Sequence, residues 1–98
     1  MRYLGEAREE FLHEVQYFSA ISARLGEQFD KAVQKAETRA AAHPEMGSPY
    51  RRGTRRVLTG KFKFSLVYLT RPDEIVIVAV AAFGRRPGYW RHRLGGDR

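Results

Sequence analysis

The sequence predicts an α+β fold in which an N-terminal helical hairpin packs on a small antiparallel sheet. Apolar residues recur every three or four positions in the first half of the chain and at alternate positions after residue 55, which are the periods of helices and strands. The change of period falls at a loop, residues 43–49. With 98 residues the chain suits one domain, which we place at residues 1–94, followed by a frayed tail at residues 95–98.

Two helices account for the first half of the chain. The apolar face of the first is formed by Ala7, Phe11, Val15, Phe18, Ile21 and Leu25. Gly26 marks the predicted turn of the hairpin, because glycine weakens a helix and accepts unusual backbone angles. The inner stripe of the second helix is formed by Phe29, Ala32, Val33, Ala36 and Ala40. Pro44 is expected to end this helix.

Three strands are predicted to follow as a meander, with residues 1–4 as a candidate short strand at the N-terminus. The first covers residues 55–59, and Gly60 turns the chain. In the second, the side chains expected in the core are Phe62, Phe64, Leu66 and Tyr68, with Lys63 on the opposite face. After the turn at Pro72-Asp73, residues 75–83 are apolar without interruption, which predicts a central strand buried on both faces.

The charge of +7 is unevenly distributed. Residues 1–48 hold six Lys or Arg and eight Asp or Glu, whereas residues 49–98 hold twelve basic and three acidic residues. The second half is therefore expected to meet an anionic partner, which nucleic acid, an acidic protein segment or a membrane surface could each provide. We expect no membrane span, because the longest apolar run has nine residues and a span needs about 20. Binding to a membrane surface is also disfavoured, because no amphipathic helix of suitable composition accompanies the basic residues.

Several classes of site are excluded or disfavoured. The chain has no cysteine, which excludes disulfides, thiolate metal sites and a cysteine nucleophile. Its histidines, His13, His43 and His92, are far apart, so we expect no metal site and no cofactor. The acidic residues of the first helix, Glu6, Glu9, Glu10 and Glu14, are interpreted as an ordinary solvated face. With acidic residues where a signal peptide would be apolar, we expect a cytoplasmic protein.

The candidate functional residues are basic and aromatic. One group is the run Gly84-Arg85-Arg86-Pro87-Gly88-Tyr89-Trp90-Arg91-His92-Arg93, in which Trp90 equally suits a core anchor. A second group is formed by Arg51, Arg52, Arg55, Arg56, Lys61 and Lys63. Arg56 and Lys63 are expected to lie close together on the sheet, with Arg85 or Arg86 approaching from the end of the last strand. Such a cluster suits an RNA backbone or the carboxylates of a protein, and the spacing does not separate the two.

The sequence resembles the RelE/ParE superfamily of toxins from bacterial type II toxin–antitoxin modules, and within it the ParE-like branch. The resemblance covers roughly residues 2–94. It rests on Leu25-Gly26-x-x-Phe29, His43-Pro44-Glu45, Arg55-Arg56, Phe62-Lys63-Phe64-Ser65-Leu66-Val67-Tyr68, Ile75-Val76-Ile77-Val78-Ala79-Val80 and Arg85-Arg86-Pro87-Gly88-Tyr89-Trp90. It implies a growth-inhibiting toxin with a role in plasmid stabilisation, neutralised by a cognate antitoxin whose binding segment is acidic.

The resemblance also implies two alternative targets. ParE-like members poison DNA gyrase, and this is our first hypothesis. Its predicted target contacts are Arg85, Arg86, Tyr89, Trp90 and Arg91, supported by a basic patch of Arg55, Arg56 and Lys63. RelE-like members cut messenger RNA on the ribosome, and the residues that would serve this alternative are Arg56, Lys61, Lys63, Arg85 and Tyr89, with Tyr89 or His92 moving a proton.

One departure from the superfamily pattern weakens the nuclease alternative. Many relatives carry a His at the end of the last strand, where this chain has Ala82 and Phe83. The chain therefore lacks one candidate general base. A relative that binds antitoxin without being toxic is the third hypothesis.

Overall fold

Two helices and a five-stranded sheet make up the fold, and the predicted α+β class is confirmed. The structure is a computed structural model that describes residues 1–97, with side chains described up to residue 95. The elements are β1 (Arg2–Tyr3), α1 (Gly5–Ile21), α2 (Ala23–Ala42), β2 (Ser48–Pro49), β3 (Arg55–Leu58), β4 (Phe64–Thr70) and β5 (Ile75–Ala82). A 3-10 helix follows at Arg91–Asp97, so it includes residues 95–97 of the tail that was predicted to be frayed. Arg98, the last residue of that tail, lies outside the described residues.

The helical hairpin turns at Ser22, so the turn predicted at Gly26 is wrong. Ser22 has an extended backbone (φ −161°, ψ 146°), and its Oγ accepts a hydrogen bond of 3.0 Å from Leu25 N–H as the N-cap of α2. Gly26 is buried inside α2, where a Cβ atom would stand 2.0 Å from Ser19 Oγ. The glycine is therefore needed for the close approach of the two helices, and the serine cap makes the turn.

The sheet has the strand order β1-β5-β4-β3-β2. The predicted meander is confirmed as β3, β4 and β5, which are paired antiparallel. Two strands of two residues extend it at the edges. β1 pairs parallel with β5, and β2 pairs antiparallel with β3. Ser48 and Pro49, predicted as loop, therefore belong to the sheet, because two residues carry too little pattern to indicate a strand.

The start of β4 also differs from the prediction. Phe62 lies in a short 3-10 helix, Gly60–Phe62, and still packs against the core, while β4 begins at Phe64. Lys63 between them is exposed and has a left-handed backbone (φ 55°). This conformation separates Lys63 from the strand alternation on which its predicted place on the sheet face depended.

β5 is central and buried on both faces, as predicted. The bulge at Val67/Tyr68 makes Val67 pair with Ala79 and Tyr68 with Ile77, so Val78 has no partner in the register. Side chains on one face of β5 pack under the helices with Phe29, whereas Val78 and Ala79 both pack on the other face. That second face is the one the helices leave open, and it positions the candidate site.

Candidate partner-binding groove

The C-terminal segment, residues 84–97, folds back over the open face of the sheet. Gly88 allows the turn because its φ is +75°, and its carbonyl accepts a 2.9 Å hydrogen bond from Arg91 N–H. Trp90 then packs among Val67, Val78 and Ala79 and is 1% exposed. The indole thus holds the segment on the sheet. Little of its side chain is exposed for the target contact predicted at this residue.

A groove of about 390 Å³ lies between the C-terminal segment and the neighbouring strands. Three guanidinium side chains line it: Arg56 from β3, and Arg85 and Arg86 from the segment. Leu58 and Phe83 also line it, and they are 49% and 52% exposed. The groove therefore combines concentrated positive charge with accessible apolar surface.

Two of the guanidinium groups are stacked on tyrosine rings. The Cζ atom of Arg56 lies 4.4 Å from the ring centroid of Tyr50, and that of Arg85 lies 3.9 Å from the centroid of Tyr89. Stacking fixes where a guanidinium stands and leaves its N–H groups available to an anion. Among the residues the structure describes, Arg56, Arg85 and Arg86 form no ion pair with a carboxylate, so their charge is uncompensated.

A buried cluster behind the groove, formed by Glu10, Tyr89 and Arg93, ties the segment to α1. Arg93 donates through Nη1 to Glu10 Oε1 at 2.9 Å and through Nη2 to Oε2 at 3.0 Å. Tyr89 donates its hydroxyl to Oε2 at 2.5 Å, and Val80 N–H donates to Oε1 at 3.1 Å. Glu10 was expected on a solvated face, and this expectation is wrong: its side chain is 17% exposed and that of Arg93 is 8% exposed.

The cluster takes the place of a missing strand neighbour. β1 pairs with β5 only as far as Ile77, whose carbonyl accepts a 2.9 Å hydrogen bond from Leu4 N–H. Beyond it, Glu10 accepts from Val80 N–H, and Arg93 Nη1 donates to Val78 O at 3.0 Å. Buried backbone groups need such partners, so the two side chains close the sheet edge where the strand stops.

Burial and Glu10 also change the acidity of the cluster. Desolvation raises the pKa of the Tyr89 phenol well above its usual value, and the hydrogen bond to Glu10 and the carboxylate charge raise it further. Burial lowers the pKa of Arg93, but the hydrogen bond and charge of Glu10 outweigh this effect and raise it. Tyr89 is therefore a neutral donor and Arg93 a cation within the cluster.

Comparison of the sequence with models of known protein families gives a family that matches most of this chain. Its description is ParE toxin of type II toxin-antitoxin system, parDE, and it matches residues 1–86. The chain belongs to the ParE toxin family. It is thus a toxin of the type II toxin–antitoxin class, and the family implies an antitoxin partner. A comparison with curated proteins gives no significant match. Tyr89 and Arg93 lie beyond the matched residues, so the family match does not describe the Glu10 cluster.

Four other basic residues predicted for the site of this ParE-family chain lie elsewhere or serve the fold. Arg55 Nη1 donates to Gly47 O at 2.8 Å and to Glu45 O at 3.1 Å, so it pins the loop before β2. Lys61 Nζ donates to Gln28 Oε1 at 3.2 Å in a hollow beside α2. Lys63 is exposed outside the groove lining, and Arg91 is exposed on the terminal 3-10 helix. The predicted residues brought together in the groove lining are Arg56, Arg85, Arg86, Tyr89 and the largely buried Trp90.

The histidines of the ParE-family chain are separate in space as well as in sequence. His92 Nε2 lies 3.4 Å from Glu6 Oε2 at the surface, His43 ends α2, and His13 is exposed on α1. Within residues 1–95, whose side chains the structure describes, no three His, Asp or Glu side chains come close enough together to bind a metal ion. In the same range, no helix has the length and apolar character needed to cross a membrane.

Proposed function

We propose that this ParE-family toxin inhibits growth in the cytoplasm by binding DNA gyrase through the groove, and that its antitoxin neutralises it with an acidic segment. The observation that carries the proposal is the set of three uncompensated guanidinium groups beside exposed Leu58 and Phe83. Guanidinium groups suit carboxylates, and exposed apolar side chains suit the centre of a protein interface.

The geometry favours a protein target over RNA. Binding of unpaired bases depends on several free aromatic faces. Arg56 lies over the Tyr50 ring, Arg85 lies over the Tyr89 ring and Trp90 is buried, which leaves Phe83 as the exposed aromatic ring among the described residues that line the groove. A protein partner needs no such platform. It can use the guanidinium N–H groups and the apolar rim together.

The groups that could move a proton are also poorly placed for RNA cleavage. The Tyr89 hydroxyl donates to Glu10 and its pKa is raised, so the phenol stays protonated and does not act as a general base. His92 faces Glu6, and the end of β5 carries Ala82 and Phe83 where an imidazole would be needed. The groove can bind and orient an anion, but it lacks an evident base.

The test compares purified wild-type protein with the double variant Arg85→Ala/Arg86→Ala in a gyrase supercoiling and DNA-cleavage assay. A hydrogen bond to a charged group contributes about 1.5–3 kcal/mol, so losing one guanidinium contact should weaken inhibition by about 10- to 150-fold. The matched control is Lys31→Ala/Lys35→Ala, which removes the same charge from exposed positions on α2 outside the groove. It should inhibit like the wild type.

The outcomes separate the three hypotheses. Unchanged gyrase inhibition by the arginine variant, folded as shown by circular dichroism, would reject the groove as the binding site. New RNA 5′ ends that form only with ribosomes would establish the nuclease instead. A wild-type protein that binds antitoxin but affects neither gyrase nor messenger RNA would be a non-toxic relative.

A further inference from the structure

We infer that Glu10 is a positioning residue for the groove: through Tyr89 it sets where the Arg85 guanidinium stands. This inference rests on the proposed function in taking Arg85 as a target contact. Glu10 lies on α1, outside the groove lining, and it reaches the groove only through the buried cluster.

The link consists of two contacts in series. Glu10 Oε2 accepts the Tyr89 hydroxyl at 2.5 Å, which fixes where the phenol oxygen lies and therefore the direction of the long axis of the side chain. The groove side of that ring carries Arg85, with Cζ 3.9 Å from the ring centroid. A displacement of the whole ring would therefore move the charge that the groove presents.

The carboxylate at position 10 is chemically specific, because it accepts all of its four hydrogen bonds. Oε1 accepts from Val80 N–H and Arg93 Nη1, and Oε2 accepts from the Tyr89 hydroxyl and Arg93 Nη2. Glutamine has the same shape, but its amide nitrogen would place donors against donors on whichever side it occupied. It would also remove the ion-pair partner of Arg93, which is 8% exposed.

Arg93 gives the positioning its rigidity. It holds both oxygens of Glu10 and also donates to Val78 O at 3.0 Å, so the carboxylate is fixed relative to β5. Tyr89 is thus oriented by a group that is itself held by the sheet. A carboxylate free to rotate on the surface of α1 would not transmit its position in this way.

The experiment measures the position of Arg85 directly as well as the activity. In wild-type protein the Tyr89 ring current should shift the NMR signals of the Arg85 side chain upfield. Glu10→Gln should remove most of that shift and weaken gyrase inhibition by about 10-fold or more, whereas Glu9→Gln, at an exposed neighbouring position, should change neither.

A second comparison tests whether Glu10 acts through Arg85. In an Arg85→Ala background, Glu10→Gln should weaken inhibition by less than about two-fold, because the group it positions is absent. An equal loss in both backgrounds would overturn the inference. So would a folded Glu10→Gln protein whose Arg85 signals are unchanged.

If Glu10→Gln does not fold, the variant Tyr89→Phe tests whether Glu10 positions Arg85 through the Tyr89 hydroxyl. It keeps the ring and the Glu10–Arg93 ion pair and removes only the hydroxyl link. The Arg85 signals should then move and broaden, and unchanged signals would refute the inference. Because the NMR measurement needs no gyrase, failure of the proposed function and failure of the positioning role give different results.

Discussion

Trp90 provides the sharpest test of how the C-terminal segment is held. The indole is 1% exposed and packs with Val67, Val78 and Ala79. A buried tryptophan removes roughly 150–250 Å² from water, which at about 25 cal/mol per Å² corresponds to about 4–6 kcal/mol. Measured Trp→Ala losses in cores are about 3–5 kcal/mol. We therefore expect Trp90→Ala to lower the free energy of unfolding by about 3–5 kcal/mol, a large part of the total for a domain of this size.

The assay is urea denaturation followed by far-UV circular dichroism, because the chain has one tryptophan and its fluorescence is lost in the variant. Trp90→Phe is the companion variant. It keeps an aromatic ring in the core and should cost about 1–2 kcal/mol. Under conditions in which Trp90→Phe and the wild type are both folded, the variant should inhibit the target with a potency within two-fold of the wild type.

Two results would refute the reasoning about Trp90. One is a loss below about 1 kcal/mol for Trp90→Ala, which would mean that the indole does not anchor the segment. The other is a Trp90→Phe protein of near-normal stability that binds its target more than about ten-fold more weakly. That result would restore the target contact predicted from the sequence.

Two further predictions concern the helix packing and the cluster. Gly26→Ala places a Cβ 2.0 Å from Ser19 Oγ and 3.1 Å from Ser19 Cα; overpacking of about 1–3 kcal/mol should outweigh the gain of about 1 kcal/mol in helix propensity. Urea denaturation should show a net loss of up to about 2 kcal/mol in the free energy of unfolding of Gly26→Ala. The control Gly5→Ala, with open space around the added Cβ, should not be destabilised. A Gly26→Ala protein more stable than the wild type would contradict the close approach of the two helices. Above about pH 10, wild-type stability should fall more steeply with pH than that of Tyr89→Phe, by up to about 1.4 kcal/mol per pH unit, because the phenol ionises near pH 10 only in the unfolded chain. Below pH 10 this contribution is fully present, and equal slopes in pH-dependent urea denaturation would disprove it.

The parts of the fold that were predictable are those with a repeated local pattern. The apolar run of β5 indicated burial on both faces because nine consecutive residues lack polar alternation. The predicted position of the hairpin turn is wrong because Gly26 is the more conspicuous local signal. The turn is made instead by the cap at Ser22, whose side chain accepts a single hydrogen bond from Leu25 N–H. β2 has only two residues, too few for a repeated pattern, although its partners Arg55 and Arg56 are close in sequence. β1 is as short, and its partners Val76 and Ile77 are 74 residues away.

The candidate site was predictable in its charge and only partly in its geometry. The basic and aromatic run indicated Arg85 and Arg86, and strand pairing indicated that Arg56 could join them. Glu10 was missed because acidic residues at neighbouring positions make it look like part of a solvated face. Its partners Tyr89 and Arg93 are 79 and 83 residues away, and only the tertiary fold brings them together.

The parallel pairing of β1 with β5 has a consequence for the order in which the protein folds during synthesis. The N-terminal strand pairs with Val76 and Ile77, and Glu10 pairs with Arg93, so these contacts can form only after most of the chain has been synthesised. Contacts of this separation form slowly, and a growing chain folds from its N-terminus. The helical hairpin can therefore form early on the ribosome, whereas the Glu10 cluster forms last. A chain interrupted before Arg93 is released without the ion pair that ties the C-terminal segment to α1.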